Sequence, residues 1–274
     1  MIAIEDFKDI KYEKEENGIG TITINRPERR NALSPITFLE LESAFDHMEQ
    51  DDDIKVVVIT GNQDGNAFSS GAYVSPKIMS EMTPEIRKLL DPTDKSSKNV
   101  ARKIFDFPKP IVAAVNGLAI GGGITMLLIG ADLIYASENA YLGFYFVQNA
   151  FMSEFASTFL LPLYLGFQRA KEIMYYGKKI EAKEAFELGL VNKVLPLNEL
   201  VPYAREQALK LIAPKAPSLS IKLMREAVHD MFKDQIYKIL EIENDGYTTL
   251  LSKPDVGIAM SARRDKIEPE FKGE

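Results

Sequence analysis

A chain of 274 residues with 46% apolar and 27% charged side chains can bury one large core, which excludes general disorder and a multidomain machine. Its 33 basic against 40 acidic side chains, a net charge of −7, argue against broad binding to nucleic-acid phosphates or an anionic membrane, so an anionic ligand must meet a local basic cluster. With no cysteine, and histidine only at His47 and His229, the chain carries no disulfide framework, thiolate nucleophile or cysteine-held metal, and no His-rich metal-ligand spacing.

The opening MIAIEDFKDI is acidic where a secretory signal is basic and then apolar, which predicts a cytoplasmic protein. Ile10 and Tyr12, then residues 20–24, alternate as two strands joined through a turn-rich stretch at 15–18. Ser34 followed by Pro35 starts a helix whose apolar stripe is Ile36, Leu39, Phe45 and Met48, and which ends at Asp51. Residues 55–60, KVVVIT, do not alternate and predict a parallel strand covered on both faces. Residues 62–109 are the least regular, with Pro76, Pro84 and Pro92, and are read as a flap holding two short helices, at 84–90 and 97–105.

Residues 111–131 carry no charge and match the length of a membrane span. Five glycines interrupt them and Asp132 follows directly, so a strand at 111–115, a glycine turn and a buried helix to about Ala131 fit better. A strand at 133–136 then completes a parallel crossover. Beyond residue 154 helices dominate, at 155–164, 168–176, 181–188 and 198–212 and as one long helix from Ser218, with a last strand at 190–195. The fold class is α/β, with a helical region following the core.

Two glycine-containing turns follow strands: AFSSGA at 67–72 and NGLAIGGG at 116–123. Gly122 and Gly123 open the buried helix, where unpaired N–H groups and the macrodipole stabilise developing negative charge. The pattern does not match the G-x-G-x-x-G dinucleotide fingerprint, and three glycines fit close helix–strand packing as well as anion binding.

Asn25-Arg26-Pro27 with Asn31-Ala32-Leu33, the AFSSGA turn, KPIVAAVNGLAIGGG at 109–123, and Ala185 with ELGLVNKV at 187–194 occur in an order that resembles the crotonase (enoyl-CoA hydratase/isomerase) superfamily. The terminal pattern Gly257, Ala259, Arg264, Pro269, Phe271, Lys272 and Gly273 is similar to that family's end. The resemblance implies a spiral of strand–strand–helix units over residues 1–197, a helical trimerisation region over 198–274, and trimers or pairs of trimers. It also implies an acyl-CoA thioester as substrate, coenzyme A entering as part of that substrate with no separate cofactor, metal, nucleic acid or membrane.

On the same resemblance, the N–H groups of Ala72 and Gly122, flanked by Gly71 and Gly121, hold the thioester oxygen, a pair of donors worth about 10²–10³ in rate each. Arg29, Arg30, Lys266 and Lys272 are the candidates for the coenzyme phosphates, some acting on a neighbouring subunit's site, and the Ser70 carbonyl meets the adenine. The hydratase pattern has acids at the places of Thr125 and Phe146, so hydration lacks its base here. Glu154, ahead of a small-residue turn and Leu161-Pro162, instead resembles the single acid of Δ3,Δ2-enoyl-CoA isomerases, with Phe144, Phe146, Phe151 and Phe155 to desolvate it. Read without the resemblance, a Ser-Glu pair at a helix start is an acid interacting with the helix dipole.

Tyr73 stands where an acid often follows the first turn, and with Lys77 resembles the superfamily's decarboxylases. Met79, Met82, Ile86, Leu89 and Leu90 are acyl-pocket or flap-core residues. The expected reaction is the shift of a 3-enoyl-CoA to a 2-enoyl-CoA. The alternatives are a 2-enoyl-CoA hydratase, a decarboxylase, a thioester hydrolase or a non-catalytic acyl-CoA binder.

Overall fold

The computed structural model describes residues 1–73, 78 and 82–273. Two sheets organise the chain. The larger has the order β1 (Ile10–Lys14), β2 (Ile19–Ile24), β3 (Val56–Gly61), β5 (Ile111–Val115), β7 (Leu133–Ser137), β10 (Lys193–Leu195), parallel throughout except for the β1–β2 hairpin. The smaller runs β4 (Ala67–Ser69), β6 (Leu118–Ile120), β8 (Tyr141–Gly143), β9 (Lys179–Glu181), with β9 antiparallel.

As β3's unbroken apolar run predicts, both faces of the large sheet are covered. Val57 and Ile59 join Phe45 and Met48 of α1 (Pro35–Gln50) in the main core. Val56 and Val58 face the other way, onto Leu200, Ala204 and Ala208 of α8 (Leu197–Leu209). The Ser34 side chain accepts the Thr37 N–H at 3.1 Å while Thr37 returns the bond to the Ser34 N–H, fixing the start of α1.

Of the two flap helices, α2 spans Pro84–Leu89 and α3 Lys98–Asp106. The uncharged stretch at 111–131 divides into β5, β6 and α4 (Gly122–Gly130), and among the described residues no helix is long and apolar enough to cross a membrane. The remaining helices are α5 (Ser157–Leu165), α6 (Phe167–Tyr176), α7 (Ala182–Glu187), α9 (Ser218–Asp230), α10 (Lys233–Leu251) and α11 (Pro254–Asp265).

Two expectations need correction. The long helix from Ser218 is three helices. Pro254 at the first position of α11 explains one break, while at the other the chain turns at Phe232, whose ring packs against Phe159. The strands of the small sheet, three residues each, lie partly inside stretches read as turns. They are too short to show a period.

Candidate active site

The small sheet places both glycine turns at one edge. Because β4 and β6 are parallel neighbours, the residues after them, 70–72 and 121–122, leave the sheet side by side. Leu33 bridges Ala72 in parallel fashion, bonding to its neighbours: the Leu33 N–H donates to Gly71 O at 2.8 Å and the Tyr73 N–H to Leu33 O at 2.7 Å. That pattern turns the Ala72 N–H to the opposite side. Asn31 secures the arrangement by donating its side-chain amide to Asn62 O and Ala67 O.

The two remaining glycine roles separate cleanly. Gly121, at φ 51° and ψ −123°, adopts a backbone open in practice to glycine, and its N–H donates to Gly143 O. That bend presents Gly122 as the first residue of α4, and neither its N–H nor that of Ala72 donates to another group among the described residues. Gly123 serves packing, since a Cβ there would lie 2.9 Å from the Ser69 Cβ. Of the two roles that the residues alone left open, close packing falls to Gly123, while the Gly122 N–H points to no protein acceptor among the described residues.

Glu154 lies against Gly122 and shares both neighbouring cavities with Ala72. A Cβ on Gly122 would stand 2.8 Å from Glu154 Oε1 and 3.6 Å from the Phe155 ring, so the glycine makes room for the carboxyl group. Glu154 is 6% exposed and borders two cavities. One, of about 370 Å³, is lined by Leu33, Phe38, Leu89, Leu90 and Met260, with Glu42 and Asp94 on its wall. The other, of about 510 Å³, is lined by Ser70, Gly71, Gly121, Phe146, Arg30 and Arg263. Ala72, Phe151, Glu154 and Tyr247 belong to both.

Burial, reinforced by the nearby Glu243 carboxylate, pushes the Glu154 carboxyl up to about 8, against a hydrogen bond with the Tyr247 hydroxyl that holds it down. The proton that folding holds there is lost more readily from the unfolded chain. The folded state therefore binds more protons between the ordinary Glu range and about 8, and its stability falls as pH rises through that window. Glu154→Gln, which does not titrate, is expected to melt about 5 °C above the unsubstituted protein at pH 9. The gap should close toward pH 5, as thermal unfolding across pH will show; a gap independent of pH would contradict a buried, titrating Glu154.

The Glu154 carboxyl group does not serve the start of the helix that follows, which takes only its backbone carbonyl, as acceptor for the Ser157 N–H. α5 begins at Ser157, and its first turn is capped by Glu243 of α10, whose carboxylate accepts the N–H groups of Ala156 at 2.7 Å and Thr158 at 3.0 Å and the Thr158 hydroxyl at 2.7 Å. The acid at the helix dipole is thus Glu243, leaving Glu154 free for the cleft.

Other expectations fare unevenly. Thr125 is buried and donates to Gly121 O, and Phe146 walls the second cavity, so neither hydratase position holds an acid. Phe151 and Phe146 line the cleft and Phe155 packs at its edge, whereas Phe144 is wholly in the core and borders neither cavity. Tyr73 lines the first cavity with the guanidinium groups of Arg26 and Arg29 over its ring, at 4.6 and 5.5 Å. Lys77 and Met79 lie outside the described residues. Leu89 and Leu90 line the first cavity, but Met82 is buried and does not border it.

Of the basic candidates, Arg30 borders the second cavity and Arg29 does not, while Lys266 and Lys272 are exposed and border neither. Lys272 instead donates its backbone N–H to Asp255. The C-terminal cation at the cavity is Arg263, one residue before the Arg264 of the terminal pattern, which pairs with Asp265. Ser70 is held in place by bonding to the carbonyls of Arg29 and Arg30.

Sequence reasoning missed Glu243 and Tyr247. A signal was present: Ile236, Leu240, Glu243, Asn244 and Tyr247 form the buried stripe of α10, and a carboxylate on an apolar helix face needs a partner.

Comparison with known proteins agrees with the geometry. A sequence profile for enoyl-CoA hydratase/isomerase matches residues 14–274. The chain is 31% identical to a crotonyl-CoA hydratase of Syntrophomonas wolfei over 97% of this chain and 98% of that one. It is 32% identical to the peroxisomal enoyl-CoA delta isomerase 3 of Mus musculus, over 82% of this chain and 68% of that one. Among solved structures, an enoyl-CoA hydratase/isomerase from Pseudoalteromonas atlantica superimposes with a TM-score of 0.85 at 28% identity, covering 96% of this chain and all of that one, 100%. With the paired N–H donors on the glycine turns and a profile match spanning almost the whole length, the chain belongs to the enoyl-CoA hydratase/isomerase family.

Proposed function

We propose that the protein moves the double bond of a 3-enoyl-CoA thioester into conjugation, with Glu154 as the only proton carrier. The observation that carries this reading is the position of Glu154: it is the acid that borders both cavities and abuts Gly122, while Thr125 and Phe146 occupy the places of the hydratase acids. The Ala72 and Gly122 N–H groups receive the thioester oxygen. The Glu154 carboxylate takes a proton from C2, and the C–H electron pair spreads into a dienolate whose charge rests on that oxygen. The resulting carboxylic acid returns the proton to C4, leaving the double bond between C2 and C3. One group suffices, because what it removes it gives back.

Arg30, Arg263 and Ser70 suit the second cavity to the coenzyme arm, and the apolar wall of the first suits the acyl chain. The exposed Leu219, Leu223, Met224 and Val228 of α9 support assembly into trimers, in which Lys266 and Lys272 reach a neighbouring site. A hydratase is the second reading, favoured by the name of the Syntrophomonas wolfei relative; it requires a second carboxylate to share the water, and Glu42, Asp91 and Asp94 of the first cavity are the acids it would have to recruit. The buried, cleft-facing Glu154 weighs against a binder without chemistry.

The test is incubation with 3-hexenoyl-CoA and, separately, 2-hexenoyl-CoA, following products by mass. Conjugation of the first without hydration of either is the expected result, and addition of water to the second would overturn it. Because the base must be ionised, kcat/KM is expected to rise about tenfold per pH unit and to level off near 8.

A further inference from the structure

We infer that α10 supplies two positioning residues for the proton shuttle: Glu243 fixes the strained turn that carries Glu154, and Tyr247 clamps the Glu154 carboxyl group at the seam between the two cavities. The inference rests on the isomerase reading of that site.

The turn is unusual. Phe155 and Ala156, the two residues after Glu154, both have positive φ, 58° and 55°. Side chains with a Cβ adopt that region only under strain, and a bulky phenylalanine does so only where its surroundings hold it. Here the holding group is the Glu243 carboxylate, which receives the Ala156 and Thr158 N–H groups and the Thr158 hydroxyl. Reversing the turn there buries the Phe155 ring and aims the preceding side chain at Gly122.

Tyr247 lies one helical turn beyond Glu243 on the same face of α10. With Glu154 it borders both cavities, its phenol interacts with the Glu154 carboxyl group, and its ring stacks on Phe151 at 5.2 Å, itself a wall of both. A phenol suits a shuttle because it donates to the carboxylate and accepts from the carboxylic acid, so one clamp serves both halves of the cycle. The turn and the carboxyl group are thus both held from a single helix about 90 residues later in the chain.

The two residues pull the acid in opposite senses, and that makes their role separable from plain stability. The titratable groups around Glu154 are Tyr247 and Glu243 from α10 and Asp94 from the segment before α3, with Glu42 and Lys95 further along the first cavity. The Tyr247 hydrogen bond favours the ionised form, and the Glu243 carboxylate opposes it.

The experiment is a ¹³C-carboxyl titration of Glu-labelled protein, with the Glu154 resonance assigned by its loss in Glu154→Gln, alongside the pH profile of 3-hexenoyl-CoA isomerisation. In Tyr247→Phe the Glu154 midpoint and the acid limb of the profile are expected to move up by about one pH unit, with kcat down roughly tenfold and KM within about twofold. In Glu243→Gln both should move down, with a larger loss of kcat. Adding Ala156→Gly, which occupies the left-handed region without strain, should restore part of that loss.

Lower rates with unmoved midpoints would overturn the inference and leave both residues as ordinary packing. An unsubstituted protein inactive on 3-hexenoyl-CoA would count against the isomerase reading instead, and the resonance midpoints of Tyr247→Phe and Glu243→Gln, read without substrate, would still decide the positioning role.

Discussion

Glu154→Gln is expected to lower isomerisation of 3-hexenoyl-CoA by about 10⁴-fold while leaving KM within a few-fold, because the amide keeps the shape of the side chain but carries no proton between C2 and C4. The carboxyl group is buried, stands beside the Gly122 backbone and borders the two cavities that together could hold an acyl-CoA. No second acid borders both cavities among the described residues, so none is placed to take over. Binding of the thioester should survive, since the Ala72 and Gly122 donors are untouched. Turnover within tenfold of the original would mean that another group moves the proton.

The second large effect concerns Gly122. Proline is well tolerated at the first position of a helix, where its missing N–H has no helical partner to lose. Gly122→Pro is therefore expected to leave α4 in place while deleting one of the two proposed oxyanion donors, a loss of about 10²–10³ in kcat. Its Cβ, 2.8 Å from Glu154 Oε1, displaces the carboxyl group as well, so the combined loss should exceed that of either change alone. Gly123→Ala offers the contrast. Its Cβ meets the Ser69 Cβ at 2.9 Å, between α4 and β4, so thermal unfolding rather than chemistry should register the first damage. Similar drops in melting temperature for both variants, with similar activities, would contradict the division of labour between the two glycines.

Much of this site is legible in the chain because local rules and a family resemblance agree. The glycine turns announce themselves by composition, and their pairing follows once β4 and β6 are seen to run parallel. Glu154 is recognisable only through the resemblance, since by local rules a Ser-Glu pair before a helix is a dipole-facing acid. The structure shows why that rule fails here: the helix already has its acid, Glu243, delivered from α10. Such a substitution joins residues 87 apart by the contact between Ala156 and Glu243, and no sequence period spans that distance.

The basic residues illustrate the same limit. Arg29 and Arg30 are neighbours, yet the left-handed turn at Arg30 and Asn31 sends one to the second cavity and the other over Tyr73. At the C-terminus, helical phase in α11 selects Arg263 over Arg264, a difference of about 100° around the axis that the motif alone does not resolve. Three-residue strands are invisible for a related reason, since their existence depends on neighbours that the fold supplies.

The most direct measurement of the shuttle is turnover of 3-hexenoyl-CoA carrying deuterium at both C2 positions, compared in the original protein and in Glu154→Gln. If one buried carboxyl group removes the C2 hydron and returns it, the 2-enoyl product holds part of the label at C4, and the variant forms almost none of that product. Hydrated product, or label transfer that persists undiminished in Glu154→Gln, would contradict the assignment of Glu154 as the proton carrier.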